Sequence, residues 1–186
     1  MELTLTSTII DKTVPIFILG MKNNEVSQYY EKLCIDNFTK FGYNNLTHFE
    51  AIVPETMGDE LTFASHRYYN LTRRRDWDIV EQAIWYSHYY LWCKCAELDE
   101  TIIVAEHDCM MTKEFTPFVL EHGLFSFAAT TKTSHSIAGV GYIITPRYAR
   151  RLIRHAESQE IQTPCDGFIH SFQIKRMKYG KFDNKF

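Results

Sequence analysis

The sequence predicts an α/β fold: one domain over residues 1–186, a three-layer α/β/α sandwich around a mostly parallel sheet. Three observations lead there. Pro15-Ile16-Phe17-Ile18-Leu19 and Thr101-Ile102-Ile103-Val104-Ala105 are short unbroken apolar or β-branched runs, the pattern of strands covered on both faces. Between them lie stretches whose apolar residues recur at helical spacing. At 186 residues the chain is long enough to bury a sizeable core, and no linker, internal repeat or low-complexity segment divides it.

The first run is followed by Gly20 and by Lys22-Asn23-Asn24, a loop carrying helix-capping residues. Val26, Tyr29, Tyr30, Leu33, Cys34, Phe38 and Phe41 then mark a helix that Gly42 is placed to stop. Leu46 to Ile52 reads as the next strand, which completes a βαβ unit with parallel strands and a right-handed crossover. Val53 to Asp76 is polar, contains Gly58, Arg67 and Arg73-Arg74-Arg75, and reads as an active-site loop. Trp77 to Leu98 is a long helix with Val80, Ala83, Ile84, Ser87, Leu91 and Cys95 as its expected inward stripe. The second apolar run follows and leads straight into Glu106-His107-Asp108. Phe125 to Thr130 and Val140 to Ile144 are further strands. Thr145-Pro146 opens a last helix, a hydroxyl cap and then proline in the first turn, with Tyr148, Ala149, Leu152, Ile153 and Ala156 on its apolar face.

Gross composition excludes some classes. A formal charge of −3 provides no general attraction to nucleic acid or acidic membranes. Basic clusters at Arg73 to Arg75, Arg147 to Arg154 and Lys175 to Lys181 could meet phosphates, and a solvated face explains each about as well. The five cysteines are scattered without a C-x-x-C pair, which points to free thiols and a reducing, cytoplasmic compartment. No stretch approaches the ~18 apolar residues of a membrane span, and Met1 to Val14 lacks the basic start of a secretory signal. His66, His107 and His135 do not have zinc-ligand spacing.

Glu106, His107 and Asp108 are the most informative polar residues. Charged groups at the carboxyl end of a buried strand sit where open α/β sheets bind ligands. Two carboxylates and an imidazole there can hold a divalent cation, and the cation can hold a diphosphate. The alternative role for this pair of loop carboxylates is to cap the next segment.

This block resembles glycosyltransferase family 25, the lipooligosaccharide and collagen-type sugar transferases. The family has a helix close to G-E-x-G-C-x-x-S-H, an aromatic L-W-K stretch and a hydrophobic strand ending in E-D-D. The corresponding residues are Glu81-Gln82-Ala83-Ile84-Trp85-Tyr86-Ser87-His88, Leu91-Trp92-Cys93-Lys94 and Glu106-His107-Asp108. Gly141-Tyr142-Ile143-Ile144-Thr145, the helix Arg147 to Ala156 and Pro164-Cys165-Asp166 resemble the family's G-Y-x-x-S, A-x-x-L and P-V-D elements, so the likeness runs from about Pro15 to Ser171.

The resemblance implies a GT-A fold and transfer from a nucleotide diphosphate sugar, above all a UDP-sugar, to a hydroxyl with inversion at the sugar carbon. It places Glu106 and Asp108 at the metal position, and His107, which replaces an acidic residue, beside them. Mn²⁺ or Mg²⁺ would suit the hard oxygen ligands, with the imidazole favouring Mn²⁺. It puts Gly20 and Asn24 in the loop that approaches the donor, with Ser87 and His88 beside it. Asp166 becomes the candidate base for the acceptor's proton, with Glu106 the alternative and a helix cap the competing role. Saccharides, hydroxylated protein side chains and a hydroxymethylated base in phage DNA are the implied acceptors. The last draws on a short chain rich in Asn, Tyr, Phe and Lys, a composition resembling phage proteins, and implies the host cytoplasm. A non-catalytic nucleotide-sugar or partner-binding module on the same fold is the alternative.

Overall fold

The structure is a computed structural model that describes residues 8–57, 79–120, 123–126, 141–158 and 165–171. Its strands are β1 (Thr8–Ile10), β2 (Ile16–Gly20), β3 (Leu46–Glu50), β4 (Ile102–Glu106), β5 (Phe118–Leu120), β6 (Leu124–Ser126) and β7 (Gly141–Ile144). Its helices are α1 (Glu25–Lys40), α2 (Ile79–Leu98), α3 (Pro146–Ser158) and α4 (Cys165–Ser171).

The two apolar runs become the neighbouring strands β2 and β4 of a five-stranded sheet ordered β3-β2-β4-β7-β6. Side chains alternate between faces along a strand, so each run feeds two cores. Phe17, Leu19, Ile102, Val104, Tyr142 and Ile144 pack with α2, α3 and α4 on one face. Ile16, Ile18, Ile103, Ala105 and Ile143 pack with Cys34 and Phe38 of α1 on the other. The βαβ reading holds: β2 pairs in parallel with β3, and also with β4.

The expectation of a mostly parallel sheet needs correction. β4 pairs antiparallel with β7, and β7 antiparallel with β6, so the sheet is evenly mixed. A parallel neighbour requires a long crossover, usually a helix. The described residues between β4 and β6 instead supply β5, which pairs antiparallel with β1, Thr8 opposite Leu120. That two-stranded ribbon closes the α1-side core with Ile10 and Leu120.

Helix faces also differ from the expected stripes. In α2, Ala83, Ser87, Leu91 and Cys95 are buried as the spacing requires, whereas Val80 and Ile84 are 47% and 44% exposed. Trp85, Tyr86, His88, Tyr89 and Trp92 are buried in their place. A helix wedged between a sheet and two other helices is covered over a wide arc, and aromatic rings contribute more buried surface there than isoleucine. Phe168 of α4 stacks on Trp92 at 5.7 Å and meets Trp85 edge-on at 5.5 Å, which fixes α4 against α2. In α1 the inward face is Ser27, Glu31, Cys34 and Phe38, with Val26, Tyr29 and Tyr30 turned to solvent. Gly42 ends that helix in the left-handed region at φ +85°, donating its N–H to the Thr39 carbonyl.

Candidate functional site at the carboxyl edge of the sheet

The parallel ladder runs one step past β4. His107 N–H donates to the Leu19 carbonyl at 3.0 Å, and Cys109 N–H then donates to the Glu106 carbonyl at 2.9 Å. This closes a tight turn at the carboxyl ends of β2 and β4, the edge where open α/β sheets place ligands. Glu106 and His107 are half-buried and Asp108 is exposed.

Glu106 is anchored from inside the molecule. Its Oε1 lies 3.5 Å from Nε2 of His88, whose side chain is fully buried. That separation is long for a hydrogen bond, so the contact is chiefly electrostatic, and Nε2 has no hydrogen-bond partner among the described residues. The other ring nitrogen, Nδ1, lies 3.0 Å from the Tyr142 hydroxyl, which accepts the Trp92 indole N–H at 3.0 Å. Burial pushes the Glu106 carboxyl up, but its interactions with His88 and then with His107 outweigh it and hold the group below its ordinary range. The Tyr142 hydroxyl is pushed well up, first by burial and then by Cys165.

The expected site residues separate into two sets. Glu106, His107 and Asp108 share the turn, and His88 reaches it from α2. The His107 ring lies 6.3 Å from Tyr30 on α1. The side chain of Asp166 lies outside the described residues. Its backbone is in the first turn of α4, next to Cys165, which is buried in the same core as Tyr142. Gly20, Asn24 and Ser87 have structural occupations. A Cβ on Gly20 would stand 2.6 Å from Glu31 Oε2. Asn24 is the N-cap of α1, its side chain accepting the Ser27 N–H at 2.9 Å. Ser87 Oγ donates to the Ala83 carbonyl and accepts the Ile52 N–H, tying α2 to the segment after β3.

Sequence reasoning did not identify Trp92 and Tyr142 as site-supporting residues. The available signal was that an indole N–H and a phenol buried in core elements each need a partner. It also missed a second polar cluster. Glu31 Oε1 lies 2.6 Å from His48 Nδ1, His48 Nε2 lies 3.0 Å from Glu50 Oε2, and the Lys22 N–H donates to Glu50 Oε1 at 3.0 Å. Burial pushes the Glu50 carboxyl up, and the Lys22 N–H, His48 and the Lys22 charge together outweigh it and bring the group below its ordinary range. This cluster explains why position 20 is glycine: the backbone of β2 must leave room for a fixed Glu31 carboxylate.

Among the described residues, no group of three or more His, Cys, Asp and Glu side chains is arranged to hold a metal ion. The turn does not form a resident all-protein cage. Mg²⁺-type ions are commonly bound by one or two carboxylates together with substrate phosphates, and Glu106 and Asp108 are the two carboxylates that this turn carries. Of the basic clusters, Arg150 is committed within the fold, bonding the Ala96 carbonyl and Asp99. Arg73 to Arg75 and Lys175 to Lys181 lie outside the described residues. All five cysteines are thiols, none of them joined in a disulfide. No helix among the described residues is long and apolar enough to cross a membrane.

No protein-family model matches the chain, and no curated protein matches it at a significant level. Solved structures do: one is a transferase carrying two cysteine-to-serine mutations, with a TM-score of 0.43 and 11% sequence identity, the alignment covering 92% of this chain and 90% of that one. A likeness of that size does not assign an activity.

Proposed function

We propose that the chain is a glycosyltransferase that moves a sugar from a nucleotide diphosphate sugar, above all a UDP-sugar, to a hydroxyl acceptor. The observation that carries the reading is the Glu106 carboxylate, ionised and anchored from the core at the carboxyl edge of the sheet. It adds to the resemblance of the Glu81 to Asp108 block and the Gly141 to Asp166 elements to sugar transferases.

In this reading Glu106 and Asp108, with His107 beside them, face the donor. A carboxylate held below its ordinary range is a poor proton acceptor and a durable anion. Glu106 therefore suits hydrogen bonds from sugar hydroxyls, or contact with a cation, better than the role of base. Asp166 takes that role: it accepts the acceptor's hydroxyl proton as the oxygen bonds to the anomeric carbon, and the bond to the diphosphate breaks with its electron pair. Mn²⁺ or Mg²⁺, held by Glu106 and Asp108 together with the phosphates, would supply Lewis-acid stabilisation of the leaving diphosphate. A saccharide, a protein hydroxyl or a hydroxymethylated DNA base is the acceptor. A second reading, a nucleotide-sugar-binding module without turnover, draws on His107, which stands where the resembled motif has an acidic residue.

The deciding experiment screens nucleotide diphosphate sugars with and without Mn²⁺. A ligand of the folded state raises the melting temperature by mass action. Release of nucleoside diphosphate separates transferase from binding module. No shift with any nucleotide sugar would overturn both readings.

A further inference from the structure

The fully buried His88 bridges two very different surroundings, and the hydrogen-bond inventory of its neighbours decides its protonation pattern. The Trp92 indole nitrogen can only donate, so the Tyr142 oxygen accepts at 3.0 Å. The phenol then has one proton to place, and His88 Nδ1 stands 3.0 Å away. If Nδ1 accepts that proton, the imidazole carries its own on Nε2, the nitrogen 3.5 Å from Glu106 Oε1. The opposite tautomer would set a bare Nε2 lone pair against a carboxylate, two acceptors facing each other in a buried place. It would also leave the Tyr142 proton without this acceptor. Of the two neutral tautomers, each step thus selects the same one: Trp92 donates to Tyr142, Tyr142 to His88, and His88 faces Glu106 with its proton.

We infer that His88 is a positioning residue for Glu106, locked by Trp92 and Tyr142 with its proton on Nε2, so that Oε1 is held toward the core and Oε2 is left for the ligand. The present separation is longer than the ~2.7–2.9 Å of a charge-assisted hydrogen bond. Such bonds are often long in an unliganded site and tighten in the complex. The unsatisfied Nε2–H is therefore a built-in pull on the carboxylate, which a ligand gripping Oε2 can complete. This consequence for binding rests on the glycosyltransferase reading. The tautomer and the Glu106 contact do not.

The test begins without any ligand. Ring ¹⁵N spectra at neutral pH report the tautomer of His88, and ¹³C carboxyl spectra report Glu106. The expected result is a neutral ring protonated on Nε2, and a Glu106 signal that moves in His88→Phe but stays near wild type in His88→Gln, whose amide N–H can replace Nε2–H. A proton on Nδ1, or on both nitrogens, would overturn the inference. So would a Glu106 signal that ignores His88→Phe. Should that variant fail to fold, the wild-type tautomer still decides. In donor titrations with Mn²⁺, His88→Phe is expected to lose about 10–100-fold in affinity, the range for partners that orient a binding group. His88→Gln should retain most of it. A chain that binds no nucleotide sugar yet shows the Nε2 proton and the Glu106 response would uphold the relay and overturn the donor assignment alone.

Discussion

Gly20, Asp108 and Asp166 give the residue-scale predictions. An added methyl at Gly20 would meet Glu31 Oε2 at 2.6 Å, and Glu31 cannot simply swing away because His48 holds its other oxygen at 2.6 Å. Gly20→Ala is therefore expected to destabilise by about 1–3 kcal/mol, the usual cost of overpacking. Urea unfolding measures it, and an unchanged midpoint would show that Glu31 is free to move. Asp108 is exposed in the turn, so Asp108→Asn should leave the melting temperature in place while removing Mn²⁺-dependent donor binding in calorimetric titration. Retained affinity would remove Asp108 from the donor site. Asp166→Ala should lower kcat by about 10²–10⁴-fold, with donor affinity nearly constant, because a general base acts on the acceptor in the transition state. Near-normal turnover would take the base role away from Asp166.

At the scale of elements, α2 is the informative one. Its 20 residues read from sequence as an amphipathic helix, but the buried arc is wide and runs through the aromatic residues. Two substitutions separate the arc from the expected stripe. Leu91 is wholly buried, so Leu91→Ala should cost about 2–5 kcal/mol through lost transfer energy and a residual cavity. Ile84, which has the same helical spacing credentials, is 44% exposed, and Ile84→Ala should stay within about 0.5 kcal/mol. Comparable losses at both positions would contradict the orientation of α2. That orientation is what delivers His88 to Glu106, so the stability pair also checks the site.

Across the whole molecule, the carboxylates determine the response to acid. Glu106 and Glu50 both have folded-state values below the ordinary 4.5, in each case because histidine and neighbouring donors outweigh the upward push of burial. The unfolded state then binds protons more readily than the folded one. Their stabilisation is complete above the ordinary value and is lost as pH falls through the lower folded values. The melting temperature should accordingly decline on acidification below about pH 4.5, and Glu106→Gln or Glu50→Gln should flatten that decline. A variant with wild-type acid sensitivity would show that its carboxylate is not coupled to folding. The thiols give a complementary readout at alkaline pH. Burial pushes Cys34 and Cys95 up to about 12, and Cys109 higher still. These three should label with thiol reagents only on unfolding, since the thiolate is the reactive form.

Local chemistry made much of the framework legible before any folding. The apolar runs at β2 and β4 require cover on both faces wherever they lie, and Gly42 and Pro146 punctuate helices by backbone stereochemistry alone. The turn Glu106-His107-Asp108 was visible for the same reason, as charge directly after a buried strand. Other features depend on distant partners. Thr8–Ile10 has too few residues to signal a strand until Phe118–Leu120 pairs with it. Helical spacing in α1 fits Val26, Tyr29 and Tyr30 as well as it fits Ser27, Glu31 and Cys34, and only the position of the sheet selects the second set. The Tyr142 hydroxyl meets His88 across 54 residues of sequence, through the antiparallel pairing of β4 with β7. Sequence alone determined which segments must be buried and where charge would emerge, because burial and backbone geometry are properties of neighbouring residues. Tertiary structure decided which polar atoms face one another, because a hydrogen bond or ion pair exists only between groups that packing has brought within about 3–4 Å.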